Sequence, residues 1–261
     1  MEKNHGKLNI PAKINLSLAI TGVKGALHTL DMETVAVDLC DTVTYNKTES
    51  GGIAIDYTSS LADFDKERFC PVVESAVSKF VAEYGDTDCH ILIEKNLPLG
   101  AGIGGSSTAV VGVLKALENL KDIGLDDCFL LTIGSDIPVV YRGGHNRVTG
   151  VGDVVESLET IDKHFVILVK GGVDSGKAYR LYDEIGAECF GPRRNDLEKA
   201  AREINPAVKE AREILENLGA KDVVMSGSLP EKNKERMKEI SIEMHRNGGL
   251  RLAHILNEIF K

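Results

Sequence analysis

Apolar and polar positions alternate at short period through the opening of the chain. From Leu8 to Ile20 the residues LNIPAKINLSLAI alternate around Pro11, which predicts two edge-type strands joined by a bend, with a turn after them at 22–25. Alternating runs at 34–39, 41–46 and 53–57 predict further strands, separated by acidic and glycine turns. From Pro71 to Tyr84 the apolar spacing lengthens to that of a helix. A five-residue strand is predicted at 90–94, followed by the turn NLPLGAGIGGSS and a helical apolar face from Thr108 to Leu120. A strand, a glycine loop and a helix thus come in that order. Another helix is expected at 126–133, a strand pair turning at Gly150 to Gly152 over 147–156, and a buried strand at 165–169.

The polar stretch SLETIDK at 157–163 marks a boundary and predicts two domains, 1–160 and 161–261. The second is helix-rich, with helical patterns at 196–201, 206–218, 231–245 and 250–260. No internal repeat or low-complexity tract appears. The expectation is an α+β protein of two domains.

A chain of 261 residues with 43% hydrophobic and 27% charged positions is an ordinary globular composition, which excludes long disorder and coiled-coil arrays. The net charge of −9 is uneven: residues 1–191 carry −11 and residues 192–261 carry +2. The larger part repels a nucleic-acid backbone, so any phosphate must be held locally. The five cysteines, Cys40, Cys70, Cys89, Cys128 and Cys189, form no CxxC pair, so neither a disulfide framework nor a metal cluster is expected. No apolar run approaches the roughly 18 residues of a membrane span, and Met1 to His5 leads into no signal-peptide core. A cytoplasmic protein is expected, with no membrane partner, and the oligomeric state stays open.

Gly100-Ala101-Gly102-Ile103-Gly104-Gly105-Ser106-Ser107 combines four glycines with two hydroxyls at a predicted helix start. Glycine lets backbone N–H groups approach an anion, so this is phosphate-binding chemistry. Two other motifs compete. The same loop satisfies G-x-G-x-x-G through Gly100, Gly102 and Gly105, as in dinucleotide-binding domains, but it follows a long β-rich opening rather than a first strand, and Pro98 separates strand from glycines. Gly171 to Lys177 reproduces G-x-x-x-x-G-K, yet Ala178 stands where a hydroxyl should meet magnesium.

Pro11-Ala12-Lys13-Ile14-Asn15-Leu16, PLGAGIGGSSTA at 98–109, Gly134-Ser135-Asp136-Ile137-Pro138 and Asn195-Asp196-Leu197-Glu198, taken together, resemble the GHMP kinase superfamily. The match extends from near the start to Ser228. It is strongest to the branch that phosphorylates 4-diphosphocytidyl-2-C-methyl-D-erythritol in non-mevalonate isoprenoid synthesis. The resemblance implies a two-domain GHMP kinase fold, with a ribosomal-protein-like N-terminal domain that binds ATP and a ferredoxin-like C-terminal domain. It also implies transfer of the ATP γ-phosphoryl group, with Mg2+, to a hydroxyl of a small molecule.

By the same resemblance Asp136 is the base that accepts the hydroxyl proton, and Lys13 is the cation beside it. Asn15, two residues on along an alternating strand, would project to the same side as Lys13 and orient the substrate. His28 would read the cytosine edge and Tyr179 would stack on the base. Lys95, Pro98, Gly100, Ala101, Gly102, Ile103, Gly104, Gly105, Ser106 and Ser107 would contact the nucleotide.

The chain departs from the family pattern at four places. Leu27 replaces the tyrosine before the histidine, Cys70 or its neighbour replaces an Asn near the nucleotide, and the glycine loop is one glycine shorter. Met225 to Pro230 runs into the charged segment EKNKERMKEI instead of an apolar strand, so one strand of the C-terminal sheet is expected to be missing. A diverged kinase for another polyol, a mevalonate-like or sugar substrate, and a nucleotide-binding pseudokinase are the alternatives.

Overall fold

The structure, a computed structural model, describes residues 4–61, 64, 66–97, 102–161, 173–191, 193–217, 219–220 and 223–226. By contacts the chain divides into two compact units. One takes Met1–Ile14, Ile20–Leu99 and Ile103–Thr160, and the other takes Asn15–Ala19, Gly100–Gly102 and the residues from Ile161 onward.

The first unit is built on two long strands, β1 (His5–Lys24) and β2 (Leu27–Lys47), joined at Gly25, whose φ of +65° suits a two-residue hairpin turn. The sequence predicts four shorter strands over this region, and the structure corrects that to two. Pro11 does not interrupt β1, because β1 pairs only β2 among the named strands and an edge strand tolerates a residue without an N–H. The break expected between the runs 34–39 and 41–46 is absent, and both lie within β2.

β2 pairs antiparallel with β4 (Cys89–Lys95) over Thr42 to Lys47 and with β5 (His145–Gly150) over Leu30 to Val35. β3 (Ile53–Ser59) lies parallel to β4, and β6 (Val154–Ser157) antiparallel to β5. The order is β3-β4-β2-β5-β6, with β1 on β2. A parallel β3–β4 pair needs a crossover, which α1 (Lys66–Tyr84) supplies. That helix begins five residues ahead of Pro71, the start expected from spacing, and buries Phe69, Val73, Ala76 and Phe80.

Helix α2 (Gly105–Lys121) is the centre of the unit, with ten buried residues. Gly112 lets it lie flush on the sheet, since a Cβ there would stand 2.4 Å from Val43 Cγ2. Asp126 caps α3 (Asp127–Ile133) by accepting from Phe129 N, and Gly134 ends it. Then comes α4 (Ile137–Arg142), a short helix the apolar spacing did not announce.

In the second unit α5 (Ser175–Ile185), α6 (Glu198–Ile204) and α7 (Ala207–Asn217) gather around Val173, Ala178 and Ala201, with Ile204, Val208 and Met225 against them. The Asn195 to Glu198 motif forms internal ties. Leu18 and Asn195 form a parallel bridge, Asn195 Nδ2 donates to Met225 O at 2.5 Å, and buried Asp196 accepts from Arg194. Buried Glu198 accepts from Arg212 at 2.6 and 2.8 Å and from Arg202 at 2.7 Å. The strand expected at 165–169, the Gly171 to Gly172 start of the second glycine motif, and the helices expected at 231–245 and 250–260 lie outside the described residues. Among the described residues no helix is long and apolar enough to cross a membrane.

Candidate active site

The start of α2 has backbone geometry that can accommodate an anion. Gly102 and Gly104 adopt φ of +70° and +76°, a left-handed backbone that favours glycine. Gly104 occupies the N-cap and offers no side-chain oxygen to the first-turn N–H groups, and no acidic residue lies in that turn. A helix start without a side-chain cap can offer its dipole and first-turn N–H groups to an anion. Ser106 and Ser107 are half-buried on this first turn. Both line a cavity of about 400 Å³, with Pro71, Val72 and Ser75 of α1 and Ile137 of α4 also in its wall.

Lys13 runs beside the same helix start. Its N–H donates to Ile103 O at 3.0 Å, and a Cβ on residue 104 would stand 3.3 Å from Lys13 Cγ. Glycine at 104 thus leaves room for the lysine stem. The stem is buried, and Lys13 Nζ reaches Asp136 Oδ2 at 3.4 Å, with side-chain exposures of 8% and 42%. Asp136 is the N-cap of α4 but its carboxylate makes no capping bond, so it faces outward. A tight turn supports it from behind: Gly152, at φ +98°, lies against Ser135, where a Cβ would come within 2.7 Å of Ser135 O. Asp153 closes that turn by accepting from Val151 N at 2.8 Å, and this hydrogen bond holds the Asp153 carboxyl below its usual value. The structure therefore brings Lys13, Asp136 and the residues from Ile103 to Ser107 together in one unit. An exposed carboxylate beside a buried cation, next to an anion cradle, can take a proton from a bound hydroxyl and hold the charge that develops.

Other expected residues stand elsewhere. Pro98, Gly100 and Ala101 lie outside the described residues. Ile103 has a buried side chain, so only its main chain is available to a ligand. His28 is half-buried at the second position of β2, next to Leu27, which is 60% exposed. In the second unit, Asn15 N donates to Ser226 Oγ at 2.8 Å and Asn15 Nδ2 to Ser226 O at 3.1 Å. Ser226 Oγ is 3.4 Å from Gly102 O. Tyr179 is half-buried on α5.

Lys95 requires a correction. Expected at the nucleotide, its side chain is wholly buried and its ammonium donates to Asp41 Oδ2 at 2.5 Å. Burial presses the ammonium below the ordinary lysine value, against the opposing pull of Asp41. The sequence reading missed Asp41 itself. Its one signal was an acid within an apolar β run, which has to find a partner if that run is buried.

The family model for the GHMP kinases N terminal domain matches residues 71–158, and that for GHMP kinases C terminal matches residues 178–228. A 4-diphosphocytidyl-2-C-methyl-D-erythritol kinase from Shouchella clausii is 30% identical over 249 residues, covering 85% of this chain and 83% of that protein. The enzyme of that name from Gloeobacter violaceus is 31% identical over 255 residues, covering 86% and 83%. A crystal structure of 4-(cytidine 5'-diphospho)-2C-methyl-D-erythritol kinase has the same fold, with a TM-score of 0.63, 22% identity and coverage of 94% of this chain and 96% of that one. These matches overturn the dinucleotide-binding and P-loop alternatives. The chain belongs to the GHMP kinase family, with the 4-diphosphocytidyl-2-C-methyl-D-erythritol kinases among its relatives.

Proposed function

We propose that the protein transfers the γ-phosphoryl group of ATP to a hydroxyl of 4-diphosphocytidyl-2-C-methyl-D-erythritol, a cytoplasmic step of isoprenoid synthesis. The observation that carries the reading is the Lys13–Asp136 pair at 3.4 Å, set beside an uncapped helix start with glycines at positive φ. Phosphoryl transfer asks a protein for positioning and charge stabilisation more than for covalent chemistry.

The residues divide that work. Backbone N–H groups of Gly105, Ser106 and Ser107 hold phosphate oxygens, and the two serine hydroxyls are the oxygen donors that would meet Mg2+. The ion would neutralise charge on the transferring phosphoryl group. The acceptor hydroxyl gives its proton to Asp136 as its oxygen bonds to the γ-phosphorus, and the bond to the ADP oxygen breaks, with ADP keeping the electron pair. Lys13, fixed by burial, stabilises the negative charge gathered there. His28 and Leu27 at the start of β2, with Asn15 and Tyr179, are assigned to the acceptor.

Incubation of the purified protein with ATP, Mg2+ and 4-diphosphocytidyl-2-C-methyl-D-erythritol tests this, with ADP and phosphorylated product followed by mass spectrometry. Stoichiometric product supports the assignment. ATP binding without product from this acceptor refutes it. In that case exposed Leu27 beside His28 favours a different small alcohol, and a screen of polyols identifies it.

A further inference from the structure

We infer that Asp41 is a positioning residue for the nucleotide, clamping both sides of the glycine segment; the inference rests on the kinase reading. Asp41 is fully buried in β2. Its Oδ1 accepts from Asn96 N at 2.8 Å and Leu97 N at 2.9 Å, immediately ahead of the glycines. Its Oδ2 accepts from Thr108 Oγ at 2.5 Å, in the first turn of α2 immediately after them, and from Lys95 Nζ at 2.5 Å. A carboxylate has about four acceptor directions, and all four are taken. Asp41 is therefore not a ligand for substrate or metal; it acts through what it holds.

Stability does not account for this arrangement. A buried ion pair is commonly no more stabilising than apolar residues of the same volume. What an apolar residue cannot do is accept two successive backbone N–H groups and a hydroxyl at once. These three bonds fix the end of β4 relative to the start of α2, and β3 joins in, as Ser59 Oγ donates to Lys95 O at 2.9 Å. The first-turn amides of α2 cannot shift against the end of β4 without breaking a charge-assisted bond.

Charge balance supports the same role. A bare carboxylate beside a helix N-terminus would itself occupy the positive end of the dipole and repel an incoming phosphate. Lys95, buried against Asp41, cancels that charge and leaves the N-terminus to the ligand. Lys95 therefore serves the nucleotide indirectly, through Asp41.

The test is Thr108→Val, which removes the hydroxyl and keeps the side-chain shape, with Thr108→Ser as the conservative rescue. Asp41→Asn accompanies them but is not relied on, since it disturbs a fully buried pair. Binding of a non-hydrolysable ATP analogue with Mg2+ is measured by calorimetry, and the KM values for ATP and acceptor by steady-state kinetics. Thr108→Val is expected to weaken nucleotide binding and raise the KM for ATP about tenfold, leaving the KM for acceptor within about twofold. Thr108→Ser is expected to stay within about threefold of the parent. Unchanged nucleotide affinity in Thr108→Val overturns the inference, as does equal weakening in both variants, since Thr108→Ser retains the hydroxyl and would then show that it does not carry the effect. A parent protein that binds no nucleotide sinks the kinase reading and the inference together, whereas a binding parent with an unaffected Thr108→Val sinks the inference alone.

Discussion

Asp136→Asn exchanges one carboxylate oxygen for an amide and preserves the side chain's shape, so it separates the proton-accepting role from packing. The structural cost follows from the pair's surroundings. Asp136 and Lys13 are 3.4 Å apart, with Asp136 42% exposed, and an ion pair open to water on one side contributes under about 1 kcal/mol. Asp136 makes no capping bond to α4, so no helix support is lost. The melting temperature should fall by no more than about 2–4 °C in a chain of this size. The chemical cost is much larger. General-base catalysis contributes about 100- to 10,000-fold, or about 2.7–5.4 kcal/mol at 1.36 kcal/mol per decade. Turnover, followed as ADP release at saturating ATP and acceptor, should therefore fall at least about 100-fold. Affinity for nucleotide should stay within about threefold, because the first turn of α2 is untouched. Turnover within about fivefold of the parent would refute the assignment of the proton to Asp136. A fall in turnover matched by a comparable loss of folded protein would refute the separation of chemistry from packing.

Three further outcomes are expected. Gly152→Ala forces a side chain into φ +98° and to 2.7 Å from Ser135 O; it should cost about 1–3 kcal/mol and lower turnover more than tenfold at unchanged nucleotide affinity, whereas parent-like melting and kinetics would show that the turn does not support Asp136. Glu198→Gln leaves the buried Arg212 with half-exposed Glu216 as its remaining carboxylate partner and should cost about 3 kcal/mol in a urea titration, a value below about 1 kcal/mol counting against the network. Cys89 is buried and its thiol is pushed up to about 11 by burial. The reactive form is the thiolate, present at pH 8 as roughly one part in a thousand, so Cys89 should resist iodoacetamide while exposed Cys128 and Cys189 react. Peptide mapping reads the difference, and rapid labelling of Cys89 in folded protein would contradict the placement.

The parts of this fold set by local pattern were legible in the sequence. The glycine loop, the helix after it and the β5–β6 pair turning at Gly150 to Gly152 follow from spacing and from residues that accept positive φ. What failed depended on partners far along the chain. Asp41 reads as the polar first residue of a short strand until Lys95, 54 positions later, is seen against it, and splitting β2 beside it was the natural error. Lys95 reads as a nucleotide contact ahead of the glycine loop for the same reason. The motif at Asn195 to Glu198 was recognised as a pattern, but spacing does not reveal that its main chain pairs with Leu18 while its side chains hold Met225 O and Arg212. The Lys13–Asp136 pair spans 123 positions, and only the two family motifs brought them together.

The first unit also links the β1–β2 hairpin, assigned above to the acceptor, to Asp136 by a short chain of contacts. The turn between β1 and β2 is flanked by Lys24, whose ammonium lies 3.4 Å from Asp153 Oδ2, and by Leu27 and His28. Asp153 shapes the turn through Val151 N, and Gly152 in that turn touches Ser135, the neighbour of Asp136. Lys24 is largely exposed, so this outer link is a weak, salt-sensitive tie. The Gly152–Ser135 contact is backbone against backbone and does not yield in that way. Under the proposed function, substitution at Leu27 is therefore expected to change the KM for acceptor while turnover, which depends on Asp136 held from behind, stays within about threefold, and a comparable loss in both would refute that separation.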